Sequence, residues 1–193
     1  MYDEMLNKSG KKSNEVYRKL YSWLHDQNSS VLLKQSNKAE ELFRKVGITF
    51  NVYENDKAEE RLIPFDLIPR IIEKKEWDFV KKGIAQRLKA LNLFLKDIYF
   101  DQKIIKDGVI PSKLINNNSA FKPQMCGFDP PGGIYIHVSG VDLIRTSKKN
   151  FYVLEDNLRV PSGSSYMIEN RSTMMHMFPE LFTKYNVKNV YDY

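Results

Sequence analysis

The sequence has little of what several familiar functions require. It contains one cysteine in 193 residues, Cys126, so no internal disulfide can form, and a reducing cytoplasm is the expected location. No apolar run approaches the ~20 residues of a membrane-spanning helix. Met1 to Lys12 lacks the apolar core of a signal peptide, so neither a membrane partner nor a secretory leader is expected. His25, His137 and His176 show no ligand spacing with Cys126, which leaves zinc a poor candidate. The chain has no internal repeat and no low-complexity tract. Its one glycine-rich turn, "PPGG", lacks the strand before and the helix after that a phosphate-cradling loop needs.

What is present reads as a folded, charged protein: 42% of residues are hydrophobic and 28% charged. The formal net charge of +6 and pI near 9.2 permit contact with anions. The lysines, however, alternate with Glu and Asp on predicted helix faces, the pattern of a solvated surface. No nucleic-acid recognition motif accompanies them, so no nucleic-acid partner is expected.

Periodicity divides the chain. Val16, Leu20, Trp23 and Leu24, then Ala39, Leu42, Phe43 and Val46, recur at helical spacing and predict two amphipathic helices within residues 1–46. Asn37 and Glu40 have the spacing of a capping box, and Gly47 stands where the second helix should stop. "ITFNVY" alternates as a strand, "ENDKAEE" predicts a turn, and "RLIPFDLIPR", with Pro64 and Pro69, predicts extended, irregular chain. A long helix is predicted from about Lys74 to Phe100, with Trp77, Val80, Ile84, Leu88, Leu91, Leu95 and Ile98 as its packed stripe. A short helix after Pro111 and the "FDPPGG" turn lead to a strand "IYIHVSGVDLIR", a turn at Lys148 and Lys149, and a strand "FYVLEDN". A helix from about Tyr166 to Phe178 and a short strand in "VKNVYDY" complete the reading. His137 is expected as a packed or hydrogen-bonded core histidine, Cys126 as a small buried hydrophobe, and Met174, Met175 and Met177 as helix packing.

The informative stretch is "YVLEDNLRVPSG", residues 152–163, an apolar strand that turns polar before it ends. Side chains two apart on a strand share a face, so Glu155 and Asn157 project together. If the two strands form a hairpin centred on Lys148 and Lys149, Asp142 lies opposite Glu155 on that face. Val141, Leu143, Tyr152 and Leu154 would then form a core surface behind it. Opposed carboxylates destabilise a sheet unless a cation lies between them, and hard oxygen donors of this kind suit magnesium. The alternative is a solvated face on which an odd-length turn separates the carboxylates. Downstream, Arg159 offers a fork for a phosphate or carboxylate. Ser162, Gly163, Ser164 and Ser165, ahead of a helix, offer amides and hydroxyls to an anion; the alternative is that Ser164 or Ser165 is an ordinary N-cap and Gly163 only shapes the turn.

The segments "GITFNVY", "PFDLIPRII", "RLKALNLFLKDIY", "VIPSKL", "PPGGIYIHVSGVDLIR" and "YVLEDNLRVPSGSSYMIENR", in this order, resemble the circularly permuted ATP-grasp family. More narrowly, they resemble its branch related to glutathionylspermidine synthetases. The resemblance runs from Gly47 to Tyr193. It implies an α+β protein: N-terminal helices (1–46), then the amino-terminal part of a circularly permuted ATP-grasp domain (47–193) with a mainly antiparallel sheet.

The resemblance also implies Mg2+ acting with ATP. Its metal ligands Glu-x-Asn match Glu155 and Asn157, its preceding strand Asp matches Asp142, and Arg159, Ser162 and Gly163 match the segment after the metal motif. Glutathionylspermidine synthetases carry an arginine two residues before the strand Asp, where this chain has Gly140, so Arg145 and Arg159 are both candidates for contacting phosphate.

Permutation places the metal-carboxylate half of the site first and the nucleotide clamp later. The implied function is therefore a truncated or split carboxylate-amine ligase, inactive alone. Its expected partners are a second chain supplying the nucleotide-binding half and a peptide or polyamine-like substrate. The alternative is a non-catalytic binding or scaffold protein that retains the fold.

Overall fold

The computed structural model describes residues 2–6, 15–47, 49–54, 57–63 and 65–191. Among the described residues no helix is long and apolar enough to cross a membrane. The chain separates into two compact units whose segments interleave. One comprises Met1–Glu73, Arg145–Asn150 and Ser162–Tyr193, the other Lys74–Ile144 and Phe151–Pro161. The α+β class holds: among the described residues, seven α-helices accompany two separate two-stranded sheets.

In the first unit, α1 (Glu15–His25) buries Tyr17, Leu20 and Trp23, one side chain per helical turn. Helix α2 (Ser29–Val46) is started by Asn28, whose side-chain oxygen accepts from the Ser30 amide at 3.0 Å. It is stopped by Gly47 at φ 72°, a left-handed conformation that glycine adopts without strain. Asn37 and Glu40 therefore lie inside α2 and cap nothing. Strands β1 (Thr49–Glu54) and β2 (Lys57–Leu62) pair antiparallel, Thr49 with Leu62 and Glu54 with Lys57. The residues "KAEE" thus belong to a strand where the sequence predicts a turn; residues 55–56 of that expected turn lie outside the described residues.

Helices α6 (Gly163–Met177) and α7 (Pro179–Lys184) complete this unit's core: Met174, Phe178 and Leu181 pack with Tyr17, Leu20 and Trp23. Trp23 meets Phe178 edge-on with ring centroids 5.0 Å apart, and its Nε1 donates to Glu180 at 3.1 Å. The methionine reading holds for Met174 and in part for Met177, whereas Met175 is 40% exposed. Between β2 and Glu73 the described residues form no regular structure, as the prolines required; there Ile71 donates its amide to the Tyr17 hydroxyl at 2.9 Å. No strand forms over 186–190. Its backbone meets side chains instead of a ladder partner: Arg171 donates to the Lys188 carbonyl, and the Tyr191 amide donates to Asn189. Residues 192–193 lie outside the described residues.

The second unit is organised by α3 (Lys74–Tyr99), whose polar side chains fasten the loops around it. Asp97 accepts from the amides of Lys103 and Ile104, starting α4 (Lys103–Lys106). Tyr99 stacks on Phe121 and Tyr135, at 5.1 and 6.2 Å, beyond α5 (Ser112–Asn116). Of the apolar stripe, Val80 and Ile98 are buried, Ile84, Leu88, Leu91 and Leu95 are half-buried, and Trp77 is 41% exposed.

The strand expected from Ile134 is only β3 (Gly140–Arg145). Asn92 accounts for the loss: its amide donates to the Gly133 carbonyl and accepts from the Tyr135 and Ile136 amides, engaging groups that a ladder would need. His137 and Cys126 are both exposed, so neither is the core residue expected.

Candidate metal and phosphate site

Strands β3 and β4 (Phe151–Asn157) are joined by five residues, too few for a parallel crossover, so they form an antiparallel hairpin. The alternation of β4 sends Glu155 and Asn157 to one side and Asp156 to the other. The Asn157 side-chain nitrogen donates to Glu155 Oε1 at 2.7 Å and reaches Asp142 Oδ2 at 3.5 Å. The three expected ligands therefore share one face, with the amide of Asn157 between the two carboxylates. Its NH2 group, the positive end of the amide dipole, stands where a cation would be drawn by both acids. Presenting an oxygen to a cation there requires the amide to turn over.

The donor set is two carboxylates and one amide, with oxygen atoms throughout, and it fits magnesium, which fills its remaining positions with water and phosphate oxygens. Among the described residues no group of three or more His, Cys, Asp and Glu side chains gathers as a metal cluster; this set has only two acids. Glu155 and Asp142 are exposed, leaving their outer sides open to further ligands.

The opposite face departs from expectation. Val141 and Leu143 are half-buried, but Tyr152 and Leu154 are 53% and 67% exposed. Asp156 is instead the best-held residue there. Arg87, on α3, grips its carboxylate with Nε at 2.8 and 3.0 Å and a terminal nitrogen at 2.6 Å. These bonds hold the Asp156 carboxyl below its ordinary value of 3.8. The pair was missed in the sequence, although strand parity already set Asp156 on the expected core face, where a carboxylate demands a partner.

Gly140 has a steric reason. A Cβ there would lie 2.9 Å from Cβ of Pro161 and 3.6 Å from that of Asn157, so no side chain fits without displacing the segment after β4. An arginine at this position would require Pro161 and the segment after β4 to move. Of the two substitutes, Arg145 is committed elsewhere. Its side chain is only 5% exposed, donates to the Ser147 and Lys148 carbonyls, and pairs with Glu4 at 3.4 Å.

Arg159 is exposed and, with Tyr135, His137 and Val138, lines an open cleft of about 490 Å³. Next to it Val160 has φ 51°, a strained conformation for a β-branched residue, as the chain turns toward Pro161. Ser162 and Gly163 begin α6, and no side-chain bond caps that helix. They belong to the first compact unit, while Asp142, Glu155, Asn157 and Arg159 belong to the second.

Residues 69–193 match the family described as a circularly permuted ATP-grasp. An uncharacterized protein of Synechocystis is 40% identical over 192 residues, all of this chain and 40% of the relative. One of Mycobacterium leprae is 44% identical over all of this chain and 33% of its own length. A Frankia alni protein named "Putative glutamate--cysteine ligase 2-3" is 34% identical over 93% of this chain and 20% of its own length. The chain thus spans two fifths or less of these relatives. Because the family match covers nearly two thirds of its residues, the β3–β4 hairpin included, the chain belongs to the circularly permuted ATP-grasp family.

Proposed function

We propose that this chain carries the magnesium-binding half of an ATP-dependent carboxylate-amine ligase site and needs a further nucleotide-clamping surface to turn over. The observation that carries this reading is the convergence of Asp142, Glu155 and Asn157 on one open face of the hairpin. Magnesium, held by Asp142, Glu155 and Asn157, would supply positive charge to offset that of a transferring phosphoryl group. The chain's own residues supply position: Asp142 and Glu155 would attract the cation, and Asn157 would present its amide oxygen once that amide, whose NH2 now faces the acids, turns over. Arg159 lies exposed one residue beyond β4's final residue and its neighbour Leu158, available to a phosphate or a substrate carboxylate. Ser162 and Gly163 are assigned the same class of ligand, supported by the free first turn of α6.

The name of the Frankia relative supports the amine-ligating class for that protein, and a peptide or polyamine-like substrate is proposed here by extension. The partner that completes the site is a second chain or chain segment, and the cytoplasm, where ATP and a lone reduced thiol are both expected, is the proposed location. A non-catalytic binding role is favoured by one observation, the exposed Tyr152 and Leu154 behind the site, which suit coverage by another protein surface.

The test incubates the purified chain with ATP, magnesium and an amine–carboxylate panel, alone and with the remaining portion of the Synechocystis relative added in trans. ADP release and product mass are followed. Turnover only in the mixture, lost on Glu155→Gln, is the expected result. Turnover by the chain alone overturns the half-site reading, and silence in both arms leaves the binding role.

A further inference from the structure

The acidic face of β4 is held from behind by a contact outside the donor set. Asp156 stands between Glu155 and Asn157 in the chain and points the other way, so any rotation of the strand about its axis moves all three together. Among the described residues β4 has one ladder neighbour, β3, where Gly140 beside Asn157 has no side chain. On the other face, the planar fork of Arg87 engages both oxygens of Asp156 and adds a side-chain restraint to the ladder with β3. The Asp156 side chain is 14% exposed and that of Arg87 43%, so the pair sits against the protein although water reaches it.

We propose that Arg87 and Asp156 are positioning residues for the divalent cation, an inference that rests on the ligand reading of Asp142, Glu155 and Asn157 given above. An ion pair this accessible contributes little to stability. Its consequence is geometric: two ligands on one strand must keep their spacing from a third on another strand within a few tenths of an ångström. A bidentate fork resists rotation in a way that a point charge cannot. Groups that orient metal ligands without touching the metal commonly change affinity by 10–100-fold when removed.

The experiment uses the full chain and Mn2+ alone as the probe. Binding is read by the electron paramagnetic signal of free Mn2+, and the Asn157 side-chain amide is followed by nuclear magnetic resonance. The parent, Arg87→Lys, Arg87→Gln, Asp156→Asn and Glu155→Gln are compared at a temperature where each gives the folded spectrum. Arg87→Gln and Asp156→Asn are expected to weaken Mn2+ binding about tenfold and to shift the Asn157 amide, and Arg87→Lys to fall between. Glu155→Gln should abolish binding.

Since Arg87→Lys keeps the charge and most of the side chain, it reports even if a more severe variant does not fold. Unchanged Mn2+ affinity in the folded Arg87 and Asp156 variants, with melting temperature alone altered, overturns the positioning role and leaves the ligand reading intact. If the parent neither binds Mn2+ nor broadens the Asn157 resonance, the ligand reading itself fails and this inference falls with it.

Discussion

Replacing Asn157 by aspartate changes one atom group and tests the electrostatics of the hairpin directly. The side-chain nitrogen that donates to Glu155 at 2.7 Å and approaches Asp142 at 3.5 Å becomes an anionic oxygen facing two other acids. Two charges roughly 4 Å apart repel by about 1 kcal/mol in bulk water, and by up to about 4 kcal/mol at an effective dielectric near 20. Glu155 is exposed and free to swing outward, so the lower figure applies. The lost hydrogen bond adds about 1 kcal/mol. The variant should therefore unfold about 1–2 kcal/mol more easily in metal-free buffer, a fall of roughly 2–8 °C in melting temperature for a chain of this size.

Magnesium should reverse the loss, because a third carboxylate strengthens attraction to the cation. A ligand at ten times its dissociation constant returns about 1.4 kcal/mol. Calorimetric or dichroism melts of parent and variant, with chelator and then across a magnesium series, provide the assay. A variant as stable as the parent in chelator, with no response to magnesium, would refute both the convergence of the three side chains and the cation reading built on it.

Three further outcomes follow from packing. Gly140→Ala should cost about 1–3 kcal/mol, since its Cβ meets Pro161 at 2.9 Å, and chemical denaturation should show the loss. Leu20→Ala, at a fully buried position in the first unit's core, should cost about 2–5 kcal/mol by the same measurement. Tyr17 should introduce alkaline sensitivity. Burial raises its phenol above the ordinary 10.0, against the opposing Ile71 hydrogen bond, so its contribution is fully present below pH 10.0 and is lost as pH rises through the folded value. Tyr17→Phe should remove that part of the alkaline slope, measured by denaturation from pH 8 to 11, while costing about 1 kcal/mol at neutral pH through the unpaired Ile71 amide.

Local pattern was sufficient wherever a decision depends on neighbours in sequence. Helical spacing located α1, α2 and α3, Gly47 ended α2, and the period of two on β4 put Glu155 and Asn157 together. With a short turn, the same parity brought Asp142 to their side. Tertiary structure decided what depends on distant partners. Nothing in residues 134–139 announces that Asn92, on α3, takes the backbone groups a longer β3 would have used. Nor could alternation show that Tyr152 and Leu154 stand exposed while Asp156 between them and the chain's end of the strand is gripped by Arg87, 69 residues away in sequence. Gly140 marks the same boundary: its identity was plain, but the reason for it, Pro161 lying where a side chain would be, exists only once the segment after β4 has folded back. Backbone periodicity is a property of neighbouring residues and is written in their order. Side-chain partnership and excluded volume belong to residues that meet only in three dimensions.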